Sequence, residues 1–227
     1  IKNLKGEKII VDNKTLSIHN EKIIKSKFSI IDRVDPCYYF KSIKNKVELK
    51  NMMQSHIADG VALTKFLYWI KNMNNKNLSE LEAEKKLEIF RKRNKNYLFP
   101  SFNTIAGTGP NGAIIHYRAT NKTNRIIKKR DLFLCDSGGQ YKYGTTDVTR
   151  TICFKNQPDY IKRIFTLVLK GHIAVANSDL IKNDTGKKLD LKARKYLKKF
   201  NLNYGHGTGH GVGYFLNVHE GPQAISK

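Results

Sequence analysis

The stretch YGHGTGHGVGYFLNVHEGP, residues 204–222, sets His206, His210 and His219 among six glycines. Two histidines four apart suggest the helical zinc motif, in which both rings leave one face. Gly207, Gly209 and Gly211 argue against it, because each costs a helix about 1 kcal/mol relative to alanine. On extended backbone, side chains alternate with period two, so positions 206 and 210 share a face. Glycine there lets a ligand come close to the main chain. Upstream, Asp136 follows the apolar run LFLC and Asp147 lies in GTTDVT, on the two arms of a predicted hairpin. Singly, each carboxylate reads equally as turn or capping chemistry. Inside a sheet, a carboxylate needs a partner or a metal, since leaving it unpaired costs several kcal/mol. An oxygen-rich set with one imidazole, Asp136 and Asp147 with His210, suits a hard or borderline divalent ion, Mn²⁺ above all. Two bridging carboxylates can hold two ions about 3.5–4 Å apart and bring a hydroxide between them close to neutral pKa. No serine or cysteine nucleophile is then required.

These groups need a scaffold, and the periodicity predicts one. A long helix is expected over Lys46 to Lys71, with Leu49, Met52, Met53, His56, Ile57, Gly60, Val61 and Leu63 on or near one stripe. A second helix begins after Leu78, with Ser79 as N-cap and Glu80, Glu82 and Glu84 near its positive end, and runs to about Asn94. From Phe99 onward the pattern is strand and turn. SFNTIAGTGPNGAIIHYRAT reads as a glycine-rich loop between two apolar strands, and DLFLCDSGGQYKYGTTDVTRTICF as a hairpin turning near Lys142–Gly144. Helices follow over 160–180 and 185–200, the second with Leu189, Leu191, Leu197 and Phe200 inward. Residues 1 to 45 read as short β-like runs and turns. The order of elements predicts an α+β fold, not a doubly wound sheet.

The bulk composition excludes several classes. At 227 residues, 40% hydrophobic and 10% aromatic, the chain can bury a real core. No apolar run reaches the length of a membrane span, so a soluble protein without a membrane partner is expected. Cys37, Cys135 and Cys153 are odd in number with no CxxC pair, against a disulfide framework or a cysteine zinc site, and they favour a reducing compartment. Cys135 and Asp136 are neighbours on a strand and should face opposite ways. The net charge of +23 is mostly dispersed lysine, with no RRM, KH or zinc-finger pattern, so nucleic acid is not expected as the principal partner.

Three stretches carry a resemblance: PSFNTIAGTGPNGAIIHY, DSGGQYKYGTTDVTRT and HGTGHGVGYFLNVHEGP. In this order they look like the signature motifs of aminopeptidase P, the Xaa-Pro aminopeptidases of the pita-bread metallopeptidase fold. The resemblance spans about Lys46 to Lys227. It implies that Asp136, Asp147 and His210 bind a dinuclear metal centre, normally two Mn²⁺ ions. His116 and His219 would contact substrate and stabilise the tetrahedral intermediate, and His206 would line the pocket for the substrate and its proline. The resemblance makes residues 1–45 the end of a preceding non-catalytic domain and linker, and 46–227 the catalytic domain without its C-terminal part. Two further glutamate ligands would lie beyond Lys227. Where the family commonly has an acidic residue before GTTD, Tyr143 stands here, and altered turn chemistry is expected there instead of lost metal. His19, His56 and His172 match no motif role.

The implied reaction is hydrolysis of the bond between an N-terminal residue and a following proline, with a metal-bridging hydroxide as nucleophile. The implied partners are peptides with proline second; a homodimer is compatible with this reading, and the expected location is cytoplasmic. Two rivals remain: a prolidase-like dipeptidase of the same fold, and an inactive pita-bread domain that binds peptide or nucleic acid.

Overall fold

A computed structural model describes residues 3–73 and 77–227. The chain divides into two compact units, Ile1–Ile43 and Lys44–Lys227. In the first, strands β1 (Lys8–Val11) and β2 (Ser29–Asp32) pair in parallel, Lys8 opposite Ser29. Parallel neighbours need a crossover, and helix α1 (Ile18–Lys25) provides it. This corrects the expectation of strands and turns alone. The Ser17 hydroxyl caps α1 by accepting from the Asn20 N–H at 3.2 Å, and Asp35 caps a further helix, α2 (Pro36–Ser42), through the Cys37 N–H at 2.8 Å. Both helices are too short for their periodicity to stand out from the neighbouring apolar runs.

The second unit opens with the 26-residue helix α3 (Lys46–Lys71), closed at its start by a capping box between Asn45 and Glu48. Its buried face is Ser55, Asp59, Ala62, Leu63, Phe66 and Ile70. The expected stripe is therefore rotated: Leu49, Met53, Ile57 and Val61 are exposed. Two polar residues decide the rotation. Asp59 is drawn inward by Arg91, and the small Ser55 admits Gly144, where a Cβ would lie 2.7 Å from the Ser55 Oγ. Helix α4 (Glu80–Lys92) starts where expected, with Ser79 and Glu82 forming a second capping box.

Strands β3 (Tyr97–Pro100) and β4 (Ile105–Thr108) follow, then a 3₁₀ turn over Gly109–Ala113. The apolar run after that turn, expected as a strand, is a loop in which Ile114 and Ile115 are exposed. The hairpin region forms β5 (Leu132–Ser137), β6 (Gly139–Tyr141), β7 (Gly144–Thr145) and β8 (Val148–Cys153). β4, β5 and β8 make one antiparallel sheet, and β3, β6 and β7 another. The core lies between the first sheet and the two helices. Ala106, Phe133 and Cys135 meet Leu63, Phe66, Ile70, Ala83 and Leu87 there.

Helices α5 (Asp159–Ala176) and α6 (Gly186–Lys198) pack on each other, and β9 (Gly209–Gly211) pairs antiparallel with β10 (Glu220–Ile225). Of the residues expected to face inward on α6, Leu197 is buried and Leu189 half-buried, while Leu191 and Phe200 are exposed. Asp190, Ala193 and Arg194 take the inner face instead, because the buried Asp190–Arg194 pair braces the loop that leads into β9. No helix among the described residues is long and apolar enough to cross a membrane.

Candidate active site

Strand alternation sets the first functional side chain. Along β5, Phe133, Cys135 and Ser137 are buried, while Leu132, Leu134 and Asp136 lie on the half-buried face. Cys135 thus points into the core, and burial pushes its thiol up to about 11, which suppresses the reactive thiolate. Asp136 points the other way, opposite Ile105 on β4 and Thr149 on β8. The Thr149 hydroxyl donates to Asp136 Oδ1 at 2.7 Å. Burial raises the Asp136 pKa, the Thr149 hydrogen bond opposes this, and the like charge of Asp147 adds to it.

Asp147 is fixed by the residues before it. Thr145 and Thr146 are fully buried. The Thr145 hydroxyl donates to Gln140 Oε1 at 2.7 Å, and the Thr146 carbonyl accepts from Ser101 Oγ at 2.8 Å. Only glycine fits at position 138, where a Cβ would lie 1.9 Å from that same carbonyl oxygen. Gln140 Oε1 also accepts the Leu216 N–H at 3.1 Å, tying the hairpin to the loop that leads to His219.

His210 sits on β9 opposite Ala224 of β10. The pairing is close: a Cβ on Gly211 would come within 2.3 Å of the Glu220 carbonyl oxygen. His210 Nδ1 contacts the Gly211 carbonyl at 2.8 Å and Nε2 lies 3.1 Å from Asp147 Oδ2. A carbonyl only accepts, so the first contact places the proton on Nδ1 and turns the Nε2 lone pair toward a carboxylate. Two electron-rich atoms at that distance call for a cation between them.

His219 joins them. Ligand atoms of Asp147, His210 and His219 all lie within 4.8 Å of one another, and the rings of His210 and His219 stand edge to face with centroids 4.0 Å apart. His116 is 6.5 Å from His219, centroid to centroid, and has a left-handed backbone with φ of 55°. His206 reaches the same cavity from the loop before β9. Arg194 holds that loop, donating to Asn203 Oδ1 at 2.8 Å and to the carbonyls of Tyr204 and His206 at 2.7 and 2.6 Å.

All six residues singled out from the sequence, Asp136, Asp147, His116, His206, His210 and His219, line one cavity of about 870 Å³. Phe102, Ile114, Ile115 and Val218 give it apolar walls. Asp136, expected as a ligand, stands outside the tight group of three and is held by Thr149. His219, expected as a catalyst, stands inside it. His56 bonds the Met52 carbonyl at 2.8 Å, a helix contact remote in role from the cavity. Sequence reasoning missed Thr149, Gln140, Asp190 and Arg194. Alternation along β8 could have placed Thr149 opposite Asp136, but nothing local marks the other three.

The donor set fits divalent metal. Two half-buried carboxylates face one cavity, burial with the nearby charge of Asp147 makes Asp136 costlier to ionise, and His210 turns a lone pair toward Asp147. The 3.1 Å between His210 Nε2 and Asp147 Oδ2 is short enough that both atoms could hold one divalent ion.

Comparison with known proteins identifies the family. Residues 50–227 match the model of metallopeptidase family M24. A probable Xaa-Pro aminopeptidase P of Laccaria bicolor is 44% identical over 223 residues, covering 97% of this chain and 34% of that protein. One from Paracoccidioides brasiliensis is 50% identical over 188 residues, covering 82% and 30%. Among solved structures, the X-prolyl aminopeptidase of Caenorhabditis elegans, described as cytosolic with a di-nuclear active site, superposes with a TM-score of 0.79 at 37% identity. It covers 89% of this chain and 33% of its own. The prolidase of Pyrococcus horikoshii superposes with a TM-score of 0.84 at 26% identity, covering 99% and 63%. The chain spans about a third of the length of the curated relatives it matches. Its α+β architecture is that of part of a pita-bread catalytic domain, and the chain belongs to metallopeptidase family M24.

Proposed function

We propose that the protein carrying this chain is a metal-dependent aminopeptidase that hydrolyses the bond between an N-terminal residue and a following proline. The observation that carries this reading is the convergence of two carboxylates and four imidazoles on one cavity with apolar walls. Asp136, Asp147 and His210 would hold the metal, two divalent ions with Mn²⁺ as the species that suits the donors best. Bound metal supplies Lewis acidity and an activated water.

The chain's own residues do the rest. His116 and His219 present ring nitrogens where a scissile carbonyl would lie, and a donor there gains strength as charge grows on the oxygen. Thr149 keeps one Asp136 oxygen engaged and so fixes the direction of the other. His206, with Ile114 and Ile115, offers a wall for a proline ring, which has no N–H to satisfy. Residues 1–45 are assigned to a preceding non-catalytic domain and its linker, and 46–227 to the catalytic domain. The cytosolic description of the C. elegans enzyme supports a cytoplasmic location.

A prolidase-like dipeptidase is the second reading, supported by the close superposition on the P. horikoshii enzyme. The greater sequence identity to proteins named aminopeptidase P favours the first. The test is hydrolysis of a proline-second peptide of about five residues against an Xaa-Pro dipeptide, using the full-length protein. Chelation should abolish cleavage of the longer peptide and Mn²⁺ should restore it. Cleavage of the dipeptide alone would select the prolidase reading, and activity that survives verified removal of all metal would overturn both.

A further inference from the structure

Helix α4 begins with a carboxylate that no part of the proposed mechanism uses. Glu80 is fully buried at 0% exposure. Its Oε1 accepts the Thr108 N–H at 2.7 Å, and its Oε2 accepts the Tyr117 hydroxyl at 2.7 Å and the Arg125 N–H at 3.1 Å. The Asn111 amide nitrogen lies 3.1 Å from both oxygens. The Glu80 N–H also donates to the Arg125 carbonyl at 3.0 Å, and the Leu81 N–H to Asn124 Oδ1 at 3.1 Å. A helix N-terminus favours an anion, and a buried carboxylate persists where several donors satisfy it.

Thr108, Asn111, Tyr117 and Arg125, which supply the donors to this carboxylate, all lie on a single segment. That segment leaves β4 at Thr108, passes through the 3₁₀ turn, carries His116 into the cavity and returns at Arg125. It contains little regular structure to hold it. His116 is the strained point: its φ of 55° lies in the left-handed region, where a side chain with a Cβ is disfavoured. Tyr117, the next residue, is buried, with its ring in a small apolar cluster beside Ile105 and Ala119. The ring fixes where residue 117 sits, its N–H donates to the Ile114 carbonyl at 3.2 Å, its hydroxyl lies 3.1 Å from the Thr123 carbonyl, and the shortest bond of that hydroxyl, 2.7 Å, goes to Glu80. Released from that bond, the chain at His116 could relax to an ordinary conformation and swing its ring off the cavity wall.

We propose that Glu80, acting through the Tyr117 hydroxyl, holds His116 in its left-handed conformation and so aims its imidazole into the site. Glu80 and Tyr117 are positioning residues; neither belongs to the group that brings Asp147 and His210 together. The proposal deepens the aminopeptidase reading, on which the kinetic part of its test rests.

The test uses full-length protein with Tyr117→Phe, His116→Ala and the double variant, because Tyr117→Phe keeps the buried ring. Amide hydrogen exchange, read by mass spectrometry, should rise about tenfold over residues 109–125 in Tyr117→Phe and stay unchanged in α4 and β5. Unchanged exchange over 109–125 overturns the proposal whatever the activity. On a proline-second peptide, Tyr117→Phe should lower kcat about tenfold to a hundredfold, with KM and metal content retained. In the His116→Ala background the same substitution should have no further effect on kcat. Additive losses would show that Tyr117 acts independently of His116 and would overturn the proposal. A wild-type protein that leaves the peptide intact sinks the aminopeptidase reading, and the exchange measurement then decides the positioning claim alone.

Discussion

Asp147 Oδ2 and His210 Nε2 meet at 3.1 Å, although one lies in a hairpin and the other on a glycine-flanked strand far along the chain. With His210 Nδ1 occupied by the Gly211 carbonyl, the contact is short of a positive charge. In full-length protein, Asp147→Ala is therefore expected to lose bound metal and peptide hydrolysis together, the latter by at least about a thousandfold. His219→Ala separates two roles for a ring that stands inside the same group of three. Retained metal with a kcat lowered about a hundredfold agrees with a donor to the transition state. Loss of metal by elemental analysis would make His219 a ligand.

Arg194 and Asp190 act as a buried bracket for the loop that presents His206. Burial disfavours the charged Asp190, but hydrogen bonds from Arg194 and Thr208 outweigh it and hold its pKa below the usual 3.8. Asp190→Asn leaves the guanidinium without its counter-ion and should destabilise the protein by roughly 3 kcal/mol at neutral pH. A carboxylate whose folded pKa is depressed stabilises the fold above its unfolded pKa and loses that contribution as pH falls through the folded value. Urea melts should thus show a constant gap between wild type and variant from about pH 7 to 5, narrowing below a pH of about 3.8. A gap that widens on acidification would contradict the assigned sign.

Beneath the site, Arg91 donates to Asp59 through Nε at 2.7 Å and a terminal nitrogen at 3.0 Å, and that nitrogen also reaches Ser137 Oγ at 3.0 Å. Tyr141 donates to the same carboxylate at 2.8 Å. Arg91→Met strands a buried Asp59 and should cost about 3–5 kcal/mol. Adding Asp59→Leu should recover most of this, since a well-packed apolar pair often matches a buried ion pair. Chemical denaturation of the single and double variants checks it; equal losses in both would mean that packing, not charge, carries the effect.

Lys44 and Glu220 form a buried ion pair joining the approach to α3 with the start of β10, one residue after His219. Lys44→Met should remove the ammonium that faces this carboxylate and reduce stability by roughly 3 kcal/mol, with Lys44→Arg recovering most of it. Thermal melts read the order of the three proteins. Equal melting temperatures for wild type and Lys44→Met would show that the pair contributes nothing.

The charge of +23 is spread along the chain and forms no recognised nucleic-acid motif. Binding to duplex DNA or RNA should accordingly be weak at physiological salt, independent of sequence, and fall steeply as salt rises. Fluorescence anisotropy across a salt series measures this, and tight sequence-selective binding would revive the binding-module rival.

Local chemistry is legible in the order of residues alone. Ser79 with Glu82 marks the start of α4 because a hydroxyl followed three residues later by a carboxylate satisfies two orphan N–H groups. The division between Cys135 and Asp136 follows from the two-residue period of a strand, and the motif order points to the six residues that share the cavity. Tertiary structure decided what period and propensity leave open. On α3, several apolar residues compete for the inside, and Asp59 wins only because Arg91 of another helix neutralises it. The apolar run at Ile114 and Ile115 could pair as a strand, but it lies as a loop between Asn111 and Tyr117, which both donate to Glu80. Asp147, His210 and His219 converge through contacts distant in sequence, and such contacts have no local signature. Which histidine sits among the carboxylates therefore depends on how the hairpin and the β9–β10 pair are brought together, a choice made by the whole packed unit.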